Sequence, residues 1–125
     1  MKRSSILYLG LILAAVLAAL NLVAIGFYFY WTISWFDYLM HFLGGLTLAT
    51  VVIWMLKLEN RSYKNFITLF IIVMIAGVGW ELIEYVYNLT DSTEPYAIDT
   101  TKDLVMDAVG TVAAYYIILR SRVLP

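Results

Sequence analysis

Three short segments of the 125-residue chain carry ionisable side chains at helical spacing. In "WFDYLMHFLGG", residues 35–45, Asp37 and the single histidine, His41, are four apart. In "GWELIEY", residues 79–85, Glu81 and Glu84 are three apart, and in "DTTKDLVMDAVG", residues 99–110, Asp99, Asp103 and Asp107 recur at intervals of four. Residues three or four apart share a helix face, so each segment presents its acids as one stripe. Carboxylates with an imidazole suit a divalent ion such as Mg²⁺, Mn²⁺, Fe²⁺ or Zn²⁺ by ligand type, and two tiers of carboxylates could hold two ions.

The elements that must position these groups are membrane helices. The chain is 63% hydrophobic and 14% charged, against roughly 45–50% and ~25% for a soluble domain. Four apolar segments, near 6–30, 37–56, 66–87 and 101–119, predict an all-α integral membrane protein, a single-domain four-helix bundle over 1–125 with an outer loop at 88–100. The first three reach the ~20 residues that span a ~30 Å hydrocarbon core, and with no water there only helices satisfy the backbone. The fourth is short. The 25 residues of the first run exceed the ~7–15 of a signal-peptide core, so it is read as retained rather than cleaved. Its Ala14, Ala15, Ala18 and Ala19 suggest close helix packing, and Tyr28, Tyr30, Trp31 and Trp35 suggest an aromatic belt at its outer end.

Lys2, Arg3, Lys57, Arg61, Lys64, Arg120 and Arg122 all fall on one side when four spans are threaded in turn. The positive-inside rule makes that side, with both termini, cytoplasmic. This predicts a multi-pass protein of the cell (inner, cytoplasmic) membrane. Eight of nine acids, including Asp91 and Glu94, lie towards the outer face, and acids contribute little to topology, so their placement needs another cause. There is no basic stripe for nucleic acid. There is no cysteine for a disulfide, a thiolate site or a nucleophile. Asn88-Leu89-Thr90 matches a glycosylation sequon, a pattern common by chance.

Depth sharpens the pattern. Counting inward at ~1.5 Å per residue, His41 lies roughly 24 Å from Lys57, Glu81 roughly 26 Å from Lys64 and Asp107 roughly 20 Å from Arg120. Asp37, Glu84 and Asp103 come out at roughly 30, 30 and 26 Å. The prediction is an upper layer of Asp37, Glu84 and Asp103, and a lower layer of His41, Glu81 and Asp107 about one turn deeper. A charged side chain in hydrocarbon costs ~2.5–3.5 kcal/mol or more. Five carboxylates and an imidazole near Lys102 alone must therefore retain protons or hold a cation.

Taken singly, several of these residues have plainer explanations. His41 is a core histidine bonded to Asp37 one turn earlier; Asp37 is a helix N-cap or a first-turn acid stabilised by the macrodipole, and Asp99 and Asp103 are caps; Glu84 reaches the interface; Trp35 and Trp80 are interfacial anchors. Gly44, Gly45, Gly77, Gly79 and Gly110 serve helix packing, whether or not they bring three helices close around a site. Glu81 and Asp107 resist such readings, because neither begins a helix.

The three segments together resemble the small bacterial membrane proteins of the YjdF type, which are similar in pattern to the VanZ-like (teicoplanin-resistance) family. The resemblance rests on Asp37, His41, Phe42 and Gly45, on Trp80, Glu81 and Glu84, and on Asp99, Thr100, Asp103, Asp107 and Gly110, and covers about residues 35–115. It implies a bacterial membrane protein and, through the VanZ-like proteins, a link to glycopeptide resistance. Tyr38 stands where the related pattern often has Lys, so no buried cation is supplied there.

Two classes of function follow. In the first, Asp37, His41, Glu81, Glu84, Asp103 and Asp107 hold a divalent metal, with His41, Glu81 and Asp107 as catalytic groups, in an enzyme acting on a lipid or cell-envelope substrate at the outer leaflet. In the second, the same cluster serves a non-enzymatic cation- or proton-binding protein (a transporter, sensor or envelope-protective factor) or is structural. No ionisable residue lies in the cytoplasmic half of the spans, which argues against transport by a monomer.

Overall fold

The computed structural model of the chain describes residues 1–89 and 94–121. Asp91, Arg122 and Thr90 of the sequon lie outside the described residues. The elements run α1 (Arg3–Gly26), α2 (Phe29–Thr32), α3 (Phe36–Leu56), β1 (Asn60–Arg61), α4 (Tyr63–Tyr87), α5 (Tyr96–Ile118) and β2 (Arg120–Ser121). Among the described residues the fold is all-α apart from one two-residue parallel pairing of β1 with β2. By length and apolarity α1, α3 and α4 are candidate membrane spans. α5 is 23 residues long, but Asp99, Lys102, Asp103 and Asp107 fill its first half.

Local chemistry moves several expected boundaries. The first helix stops at Gly26 rather than near Tyr30, because Tyr28 adopts a left-handed φ of 58° and the chain turns into the short α2. α4 begins at Tyr63, three residues before the expected start, because the Ser62 hydroxyl accepts a hydrogen bond from the Asn65 N–H at 3.2 Å and caps it. α5 begins at Tyr96, not Thr101, directly after Pro95, whose φ of −56° feeds the first turn. The outer connection therefore shrinks from 88–100 to 88–95. Asp99, Asp103 and Asp107 all lie within one helix, and all are buried. Asp99 and Asp103 are not caps, since Pro95 holds that position; Asp37 does not cap α3, which Trp35 precedes, but it is the acid of the first turn, the other plain reading of that residue.

α3 is the central helix, with α5 and α1 packed on it; α4 lies chiefly against α5. The crossing of α3 and α5 is set by two glycines. A Cβ at Gly110 would overlap the Phe42 carbonyl oxygen and stand 2.6 Å from the Leu46 nitrogen. A Cβ at Gly45 would overlap the Asp107 carbonyl oxygen and stand 2.8 Å from its Cα. Gly44 and Gly79 meet nothing within 4 Å, so close packing does not explain them. Ala49, Ile53, Leu69, Val73, Ala114 and Ile118 fill the core below.

Ala14, Ala15, Ala18 and Ala19 do not make the expected packing face; all four are exposed. α1 instead meets α3 through Ile6 and Gly10, where a Cβ would stand 3.4 Å from the Val51 side chain, and contributes Ala24 to a second cluster with Phe36 and Met40. An open groove is left between α1 and α4. Tyr28, Trp31 and Trp35 are exposed, as a belt requires, while the Tyr30 hydroxyl donates to Asn21 Oδ1 at 2.7 Å.

Arg3, Arg61 and Arg120 gather at the opposite end from the cluster of acids. The Arg3 guanidinium lies 5.5 Å from the Trp54 ring centroid, Arg61 lies over Tyr116 and donates to its carbonyl, and Asn60 pairs with Arg120.

Candidate metal centre

α3 brings Asp37 in its first turn and His41 in its second, α4 brings Glu81 and Glu84 near its C-terminal end, and α5 brings Asp103 and Asp107. All six meet at one end of the helices, around the imidazole. Asp107 Oδ1 lies 3.2 Å from His41 Nδ1. A carboxylate accepts, so Nδ1 carries the proton of this bond and Nε2 is turned away from Asp107. Nε2 faces three carboxylates at nearly one radius: Asp103 Oδ2 at 3.7 Å, Glu81 Oε1 at 3.8 Å and Asp37 Oδ1 at 3.9 Å. These separations are too long for hydrogen bonds. They match two ligands sharing one ion, since bonds of ~2.0–2.2 Å place ligand atoms roughly 3–4 Å apart. His41 is therefore not bonded to Asp37 as the plainer reading had it; its hydrogen bond crosses to α5.

The partners of the acids are equally selective. Glu81 is 3% exposed: its Oε2 accepts from the Thr100 hydroxyl at 2.9 Å, its backbone carbonyl accepts from the Tyr96 hydroxyl at 2.9 Å, and Oε1 has no hydrogen-bond partner among the described residues. Asp103 is fully buried, and neither of its oxygens has such a partner. Glu84 Oε1 accepts from the Trp80 indole at 2.9 Å, so Trp80 orients an acid in addition to standing at the surface. Gly77 makes room for Asp107: a Cβ there would stand 2.6 Å from Asp107 Oδ2. Lys102 does not neutralise the cluster. Its ammonium donates to both Glu94 oxygens at 2.7 Å and lies 5.7 Å from the Tyr38 ring centroid.

The two expected layers are not how the groups combine. Ligand atoms of Asp37, His41 and Asp103 lie within 4.8 Å of one another, as do those of Glu81, Glu84 and Asp103. Each triad crosses the tiers, and Asp103 belongs to both. Side chains on a helix lean towards its N-terminus, so those on α3 and α5 lean outward while those on α4, running the other way, lean inward, which brings both α4 acids to Asp103. The first triad needs no such tilt: Asp37 and His41 stand one turn apart on one face of α3, and both reach Asp103. The contacts of Thr100 and Tyr96 with Glu81, and of Trp80 with Glu84, are not read from the sequence; Thr100 lies nineteen residues from Glu81, and only the packing of α4 on α5 brings the two together.

A helical membrane protein with an inward-facing acid and histidine cluster at one end is the class these features define. The chain belongs to a family described as "Predicted membrane protein (DUF2238)", whose family model matches residues 2–123. No curated protein and no solved structure matches the chain.

Proposed function

We propose that this protein is a metal-dependent enzyme of the cell membrane that acts on a lipid or cell-envelope substrate at the outer leaflet. The observation that carries this reading is Asp103: a fully buried carboxylate whose two oxygens have no hydrogen-bond partner among the described residues, shared by two triads of ligand-type atoms. An uncompensated buried charge is strongly destabilising, and a divalent ion bound between the triads supplies the missing positive charge. It would also supply Lewis-acid stabilisation to a carbonyl or phosphoryl oxygen. Asp37, His41, Glu81, Glu84 and Asp103 form the ligand set. Asp107 acts through His41 by fixing its tautomer, in the manner of carboxylate–histidine pairs behind metals, rather than as the catalytic group expected from sequence. Glu81, with Oε2 anchored by Thr100 and Oε1 without a hydrogen-bond partner among the described residues, ligates through Oε1 and becomes the general base only when a water takes that position on the ion.

In this reading residues 1–125 form one domain of four spans. α5 crosses with its acids turned inward, and the basic end, with both termini, is cytoplasmic, as the placement of Lys2, Arg3, Lys57, Arg61 and Lys64 supports. The likeness to YjdF-type and VanZ-like proteins in the three acid-bearing segments adds support for a role at the cell envelope.

Elemental analysis of protein purified without chelator tests the centre. We expect near-stoichiometric divalent metal in the wild type and little in Glu81→Gln. Asp107→Asn keeps the shape but not the charge behind Nδ1, and should weaken Mn²⁺ binding by about 10–100-fold in calorimetric titration. A metal-free wild type whose stability is unmoved by either change would refute the centre. The second reading, a non-enzymatic cation- or proton-binding protein, draws on the same near-equal radius of three carboxylates about Nε2, which suits an imidazolium as well. Absence of metal together with destabilisation by His41→Gln would favour it.

A further inference from the structure

We infer that the groove between α1 and α4 holds one hydrocarbon chain of a phosphate-headed membrane lipid, whose head reaches the acid and histidine cluster. The inference rests on the metal-centre reading and names its substrate class. The groove encloses about 1230 Å³, beyond the ~300–1,000 Å³ of ordinary small-molecule pockets. Ala14 and Ala18 of α1 form one wall, Val73 and Ala76 of α4 the other, and Gly44 and Leu48 of α3 the floor. At one end the lining turns polar, with Asp37, His41, Glu84 and Asp107. An apolar trough with one ionisable end has the chemistry of a single amphiphile.

Its length fits one leaflet. Along α1 the lining runs from Ala14 to Ile25, and along α4 from Val73 to Glu84, eleven residue steps each. At ~1.5 Å per residue that is roughly 16 Å, about half of a ~30 Å hydrocarbon core. The trough thus descends from the acid end to mid-membrane and stops. Exposed Trp31, Trp35 and Trp80 border the polar end, at the depth where indoles mark the lipid head region. The head is assigned as phosphate because carboxylates repel an anion unless a divalent ion lies between, and clamping phosphoryl oxygens is what such ions do in two-metal sites. The exposed alanines on α1, which pack against no neighbouring helix, are the wall that a chain slides along.

The test uses the full chain in nanodiscs with phosphatidylglycerol carrying a photoactivatable group in one acyl chain, and a diacylglycerol probe with the same chain, each with Mn²⁺ or with EDTA. We expect labelling of Ala14, Ala18 and Ala76 at least five times that of outward-facing Leu11 and Ile75, and a preference for phosphatidylglycerol that EDTA removes. Gly44→Leu tests occupancy without a clash, since a Cβ there meets open space. It should cut groove labelling at least five-fold while Mn²⁺ uptake shows the fold intact. Uniform labelling, no effect of Gly44→Leu, or chain-to-chain cross-links through the groove in place of lipid label would overturn the inference, and equal labelling by both probes would overturn the phosphate assignment. Failure of the metal centre is read separately: wild type that takes up no Mn²⁺ while Gly44-sensitive groove labelling persists removes the centre and supports the lipid chain.

Discussion

Asp103→Asn is expected to abolish metal uptake while leaving the metal-free protein at least as stable as wild type. The amide keeps the volume and removes the charge from a fully buried position whose two oxygens have no hydrogen-bond partner among the described residues. In EDTA the wild type holds Asp103 close to Asp37, Glu81 and Glu84 with His41 as the one group facing them that can carry positive charge, and the substitution relieves that repulsion. With Mn²⁺ present the order reverses. Asp103 belongs to both triads, so its loss removes a ligand from each, and the wild type alone gains stability on binding. At a hundred times the dissociation constant that gain is about 2.7 kcal/mol. Thermal unfolding in detergent with and without Mn²⁺ reads both signs. A structural role for Asp103 predicts destabilisation under both conditions, and that result would count against the centre.

Gly110→Val should separate α3 from α5 and lose the cluster with them. The atoms a Cβ would meet are the Phe42 carbonyl oxygen and the Leu46 nitrogen, both backbone, so neither can rotate away. Overpacking of this kind costs ~1–3 kcal/mol where side chains can yield, and more is expected at a backbone crossing. We expect a melting temperature lower by on the order of 10 °C and lost Mn²⁺ binding, although residue 110 contributes no ligand. Gly44→Ala is the matched control. Its Cβ meets nothing within 4 Å, and its effect should stay within about 0.5 kcal/mol. Equal melting temperatures for the two variants would show that α3 and α5 do not cross as described.

These two expectations also mark where reading the chain succeeds and fails. Apolar run length identifies the helices, because lipid admits few other backbones, but not their ends. Tyr28 breaks α1 through a left-handed φ, and Pro95 starts α5 five residues early; both effects belong to single residues rather than to hydropathy. Five glycines near the acids look alike in sequence, yet Gly45, Gly77 and Gly110 face atoms of other helices and Gly44 and Gly79 face none. The alanines of α1 suggested a packed face; all four are instead exposed, and Ala14 and Ala18 line the groove.

By itself the sequence determined that the acids and the histidine lie towards one end of membrane helices and share faces, because spacing by three or four residues and distance from the basic anchors are properties of the chain alone. Tertiary structure decided which groups pair. Asp107 stands behind His41, Asp103 lies between two triads, and Thr100 holds Glu81. Those pairings depend on helix direction and crossing distance, since the sense in which each helix runs sets the lean of its side chains. That relation exists only between helices, and no single segment contains it.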